Sequence, residues 1–120
     1  MPEHVTAEFR DEIISNEQLD MAMTVLKTLA DPARLQMLSA LSTAEHTISE
    51  LSQFVGVSPS VASQLLSPLR AKGVLQSRKV GRHVVYEMTD ENLKRFIAQT
   101  LEYAALRLEA RGAESNELAE

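Results

Sequence analysis

Residues 57–74 read Val57-Ser58-Pro59-Ser60-Val61-Ala62-Ser63-Gln64-Leu65-Leu66-Ser67-Pro68-Leu69-Arg70-Ala71-Lys72-Gly73-Val74. The stretch opens and closes as one helix. Ser58 is a residue type that caps helix N-termini, and Pro59 suits the first helical position, where its missing N–H is no loss. Val61, Ala62, Leu65, Leu66 and Leu69 recur at three- and four-residue steps and form one inward apolar face. Gly73 supplies the stop. Opposite that face stand Ser58, Ser60, Ser63, Gln64 and Ser67, all uncharged and able to hydrogen-bond. Pro68 conflicts with the pattern. An interior proline loses a backbone bond and costs roughly 3 kcal/mol unless the last turn bends, so a kink or an early end is expected there.

Just upstream, Thr47-Ile48-Ser49-Glu50 matches a capping box, in which the Thr hydroxyl serves a free backbone N–H and the Glu reaches back. The short helix it opens has Ile48, Leu51 and Phe54 as its apolar face, and Gly56 stops it. Two helices joined by a glycine-containing turn form a helix-turn-helix unit. Downstream, Val74–Arg78 and Arg82–Met88 are β-rich and joined through Lys79-Val80-Gly81, which predicts a hairpin. Further out, Asp31-Pro32 repeats the cap-then-proline signal for a helix to about Leu41, with Leu35, Leu38 and Leu41 inward. Ser42 to His46 reads as a polar connection. Leu19, Met23, Leu26 and Leu29/Ala30 stripe an earlier helix, which Met21 and Val25 widen. Thr89 or Asp90 caps a last helix striped by Leu93, Phe96/Ile97, Thr100/Leu101, Ala104 and Leu108 and closed by Arg111-Gly112. That stripe is longer than one small core covers.

The expected fold is mainly α with a two-stranded β-hairpin wing, in the order α-α-α-α-β-β-α. Residues 1–15 read as an N-terminal arm or short helix, 16–111 as the domain and 112–120 as an acidic, disordered tail.

Composition bounds the function. The chain has 120 residues, no Cys and no Trp. Disulfides, thiolate metal sites, Cys nucleophiles and thiol redox switches are thereby excluded. No apolar run approaches the ~18 residues of a membrane span and the polar N-terminus has no signal-peptide core, so a cytoplasmic protein is expected. No nucleophile–base pair, phosphate-binding glycine loop or paired-acid motif suggests an enzyme.

The net charge of −5 argues against nucleic acid until it is resolved along the chain. Residues 51–86 hold no Asp or Glu but contain Arg70, Lys72, Arg78, Lys79 and Arg82, a block of +5 in a remainder of −10. Such a block attracts an anion on one surface while the rest repels it. An α-helix fits the major groove of B-DNA, where Gln makes a bidentate contact to adenine and Ser contacts several bases. The candidate DNA-binding residues are therefore Ser58, Ser60, Ser63, Gln64 and Ser67 on the helix. Arg70 at its end and Arg78, Lys79, Arg82 and His83 on the wing join them for the phosphate backbone.

Several segments together resemble one family. Leu29-Ala30-Asp31-Pro32-Ala33-Arg34-Leu35 is similar to the "LADPTRL" opening of ArsR/SmtB transcriptional repressors. Ile48-Ser49-Glu50-Leu51 resembles their third helix, Val57–Leu66 and Leu69–Leu75 their recognition helix and its exit, and Val80–Tyr86 their wing. The resemblance covers roughly residues 17–108. It implies a winged helix-turn-helix homodimer built on the first and last helices, with Leu19, Met23, Leu26, Phe96, Ile97, Leu101, Ala104 and Leu108 at the interface. It also implies repression by binding a double-stranded DNA operator, modulated by a ligand that is commonly a metal ion.

The sensor positions depart from that pattern. The family's thiolate sensors carry Cys in the third helix, where this chain has Thr47-Ile48-Ser49. Positions matching the zinc and cobalt ligands of the last helix are Asp90, Asn92, Tyr103 and Leu106, and only Asp90 is a strong ligand type. Imidazole with carboxylate suits Ni²⁺ or Zn²⁺, which makes His4, His46, His83 and Asp90 the weak candidate ligands. No two of these histidines have metal-ligand spacing, and each also reads as a surface residue. The alternative to a metal effector is a winged-helix interaction module, with DNA binding controlled by a regulatory partner protein.

Overall fold

The computed structural model describes residues 13–119, with side chains to residue 116. Of the expected arm, residues 1–12 and the candidate ligand His4 with them lie outside the described residues. The elements are α1 (Asn16–Leu29), α2 (Pro32–Thr43), β1 (His46–Thr47), α3 (Ile48–Val55), α4 (Pro59–Ala71), β2 (Leu75–Val80), β3 (His83–Met88) and α5 (Glu91–Ala119). The chain divides into two compact units, one ending at Asp31 and one beginning at Pro32.

In the first unit, the Ser15 hydroxyl accepts from the Gln18 amide at 3.1 Å and caps α1. The helix leaves Leu19, Met21, Met23, Val25 and Leu26 exposed.

The second unit holds a continuous core. Met37, Leu38, Leu41, Leu51, Ala62, Leu66, Leu69, Leu75, Tyr86, Met88 and Ile97 are all buried, and burial of this apolar surface is the main favourable contribution to folding. The sheet is antiparallel with order β1-β3-β2. It therefore has three strands where the sequence reading has two. His46 pairs with Tyr86 and Thr47 with Val85. A two-residue strand is too short to show alternation, so the segment reads as a connection until β3 is beside it.

Local signals set the element ends. The Thr47 hydroxyl accepts from the Glu50 amide at 3.1 Å, and Glu50 Oε1 accepts from the Thr47 amide at 3.4 Å, which completes the capping box. Gly56 ends α3 with φ +71°, in the left-handed region that favours glycine. The Ser58 hydroxyl accepts from the Val61 amide at 3.2 Å and Pro59 is the first residue of α4. At the exit of α4, the Gly73 amide donates to the Arg70 carbonyl and the Val74 amide to the Leu69 carbonyl, the paired bonds of a Schellman cap. Asp90 Oδ1 accepts from the Leu93 amide at 3.0 Å and caps α5.

The hairpin, the course of α4 past Pro68 and the end of α5 differ from the sequence reading. β2 runs on to Val80, so the hairpin loop is only Gly81-Arg82, between paired Val80 and His83. Gly81 has φ +63° and Arg82 has negative φ, the signature of a type II′ turn, whose twist matches that of the strands. α4 does not end at Pro68 but continues to Ala71. Arg34 Nε donates to the Leu65 carbonyl at 2.7 Å, one residue beyond the Gln64 carbonyl that a proline at 68 cannot serve. Finally, α5 passes through Gly112 to Ala119. A single interior glycine costs about 1 kcal/mol relative to alanine, and the surrounding Ala, Glu, Leu and Arg are strong helix formers.

Candidate nucleic-acid interface

Three elements position the candidate residues. α3 and the turn at Gly56-Val57-Ser58 present the N-terminus of α4. Ala62, Leu66 and Leu69 bury one face of α4, which turns Ser60, Gln64 and Ser67 outward, all exposed. This outward face carries no charge. Ser58 is also exposed, but its hydroxyl is engaged in the cap. Ser63 differs from the other serines: it is half-buried, and its hydroxyl lies 3.2 Å from the Tyr86 hydroxyl. That bond ties α4 to β3 and takes Ser63 out of the outward face.

Pleating sorts the wing residues, since alternate side chains along a strand point to opposite faces. Leu75, Ser77 and Lys79 share the face of Tyr86 and Met88, the face that meets α4. Lys79 thus stands at the wing tip on the side of α4. Arg78 stands on the opposite face, where its guanidinium lies 2.9 Å from Glu45 Oε2 and 3.8 Å from Glu87 Oε2. Glu45 precedes β1 and Glu87 lies in β3, so the sheet brings two acids from outside the acid-free block onto its middle arginine. Arg70, Lys72, Lys79 and Arg82 make no ion pair among the described residues. Arg82 occupies the loop and His83 the first position of β3, both exposed.

Two apolar residues expected to face inward are exposed, Val61 and Phe54. Val61 is 42% exposed. On a helical wheel it lies about 100° from the centre of the Ala62/Leu66/Leu69 face, a signal present in the sequence. Phe54 of α3 is likewise exposed. Its ring meets the His46 ring in a T-shaped arrangement, 5.3 Å between centroids.

The candidate metal ligands are not brought together. His46 Nδ1 donates to Glu50 Oε2 at 3.0 Å. That contact and the Thr47 hydroxyl and amide hold the Glu50 carboxyl below the usual carboxylate range. Asp90 is the cap of α5, and His83 is on the wing. No three His, Cys, Asp or Glu among the described residues form a group able to hold a metal ion. The donors of one chain, so far as described, do not fit such a site. Among the expected interface residues, Ile97 is fully buried in its own chain and belongs to the core, whereas Leu19, Met23, Leu26, Phe96, Leu101, Ala104 and Leu108 are exposed.

Residues 31–77 match the family described as bacterial regulatory protein, arsR family. The chain is 35% identical over 94 residues to the transcriptional repressor SmtB homolog of Synechocystis, covering 76% of this chain and 71% of that one. It is 36% identical over 76 residues to the transcriptional activator HlyU of Vibrio cholerae, covering 63% of this chain and 70% of that one. Its fold is similar to the homodimeric winged helix-turn-helix DNA-binding domain of a possible ArsR-family regulator from Mycobacterium bovis. The TM-score is 0.68, with 28% identity, over 81% of this chain and 93% of that one. No helix among the described residues is long and apolar enough to cross a membrane.

Proposed function

Since this chain belongs to the ArsR family and is a winged helix-turn-helix transcriptional regulator, not an enzyme, we propose that it binds a palindromic operator in double-stranded DNA as a homodimer and represses transcription. One observation carries the reading: an uncharged hydrogen-bonding face on α4, bordered by basic side chains that make no ion pair among the described residues. Bases are read by hydrogen bonds in the groove, and phosphates are held by cations. Ser60, Gln64 and Ser67 read base edges. The positive end of the α4 dipole, with Arg70, Lys79, Arg82 and His83, takes phosphates. Arg78 braces the sheet instead.

The dimer rests on the exposed apolar residues of α1 and α5 and on the homodimeric state of the Mycobacterium bovis relative. The sign of regulation follows the SmtB homolog, which is a repressor, although HlyU is an activator. A reporter gene behind the operator decides it: expression falls on adding the protein if it represses. Mobility shift on a duplex selected from a random pool tests the whole reading. The expected result is a sequence-specific complex that weakens steeply with salt, and a protein that enriches no sequence refutes it.

A metal effector, Ni²⁺ or Zn²⁺, requires donors from two chains or from residues 1–12 in this reading. Isothermal titration of the dimer, with and without operator, tests it. Stoichiometric binding coupled to a changed DNA affinity supports it, and uncoupled binding refutes it in favour of another effector.

A further inference from the structure

We propose that Val61 is a specificity-determining residue that reads the 5-methyl group of a thymine. The inference rests on the DNA-binding reading above and deepens it. Val61 is the third residue of α4 and 42% exposed, while the next residue, Ala62, is fully buried. It precedes Gln64 by three positions, so the two side chains are neighbours on the helix surface. The first turns of a recognition helix are the part that reaches base edges. Along this outward border, hydroxyls and an amide alternate with one branched apolar group.

Thymine is the one base that offers a methyl in the major groove, and apolar side chains recognise it by contact. Adenine is the base that a Gln amide reads by a bidentate bond. Gln64 and Val61 side by side therefore suit an adenine and a neighbouring thymine, the amide taking the hydrogen-bonding edge and the valine covering the methyl. A β-branched side chain has one strongly preferred χ1 rotamer in a helix, so little freedom is lost on contact.

The test uses the full chain and a duplex selected from a random pool at fixed salt. Each thymine of one half-site is replaced in turn by deoxyuridine, which removes only the 5-methyl group, and affinity is read by fluorescence anisotropy for the wild type and Val61→Ala. Ala at an exposed helical position favours the helix, and circular dichroism checks that the variant is folded. At one thymine, the wild type should lose about fourfold in affinity, the factor that corresponds to about 0.8 kcal/mol for one buried methyl. Val61→Ala should bind the thymine and uracil duplexes alike. Val61→Thr, of similar shape with one methyl kept, should retain part of the discrimination. No uracil effect at any thymine, or an equal effect in wild type and Val61→Ala, overturns the proposal. Failure to enrich any duplex overturns the DNA-binding reading itself.

Discussion

Arg78 and Arg82 lie four residues apart and differ in their neighbours. Arg78 faces Glu45 and Glu87, whereas Arg82 stands at the hairpin loop without an ion pair among the described residues. An exposed pair such as Arg78–Glu45 contributes roughly 0–1 kcal/mol to stability, and in the proposed complex the guanidinium stays with Glu45 and Glu87. Arg82→Ala should lower the slope of log affinity against log salt by about 0.9 per lost contact, hence about 2 for a dimer. Arg78→Ala should leave that slope unchanged, and anisotropy titrations at several salt concentrations compare the two. The +5 block was legible by counting along the chain. The pairing of its middle residue was not, because Glu45 and Glu87 reach Arg78 only through strand pairing. Glu50 carries a second consequence at this scale. Its folded pKa lies below the unfolded value of 4.5. Its carboxylate therefore adds stability above that pH, and the contribution disappears as pH falls through the lowered folded value. Glu50→Gln should lower the denaturant midpoint at neutral pH, and the gap should narrow in acid as the wild-type carboxylate is protonated.

At the scale of elements, α4 is held by its caps, its buried face and one guanidinium. Pro68 removes a donor inside the helix, and Arg34 supplies one to the adjacent Leu65 carbonyl. Removing that donor from a part-buried carbonyl costs about 1–3 kcal/mol. Pro68→Ala restores a backbone N–H and relieves the ring's clash with the preceding turn. Arg34→Ala should therefore destabilise the parent protein more than it destabilises Pro68→Ala, by about 0.5 kcal/mol or more in a double-mutant cycle. Equal losses in both backgrounds contradict this coupling. The caps at Thr47, Ser58 and Asp90 were readable because side-chain chemistry fixes a helix start within four residues. The Arg34 bond to the Leu65 carbonyl was not, since it comes from α2, 31 positions earlier in the chain. β1 escaped for a related reason, because its pairing partner lies in β3.

At the scale of the whole molecule, α5 spans 29 residues, about 43 Å at 1.5 Å per residue. Only its first turns carry half-buried or buried side chains, and from Ala98 to Asn116 every side chain is exposed. Phe96, Leu101, Tyr103, Leu106 and Leu108 on a helix this exposed call for a partner surface, and a second copy supplies one in the account given above. Leu101→Glu with Leu108→Glu should leave a folded monomer by circular dichroism and sedimentation, with operator affinity down by tenfold or more. Ile97→Glu should unfold the chain instead, since it places a charge in the core. The stripe from Leu93 to Leu108 was readable as a whole; its division between core and surface at Ile97 required the packed structure.

The central claim is that two chains read two half-sites with their α4 helices. Hydroxyl-radical footprinting of the selected operator, with the complex's stoichiometry from sedimentation, tests it most directly. The account predicts two chains per duplex and two protected half-sites about 34 Å, or a multiple of that, apart on one side of the DNA. A single protected site with one chain bound, or protection that ignores sequence, would contradict it.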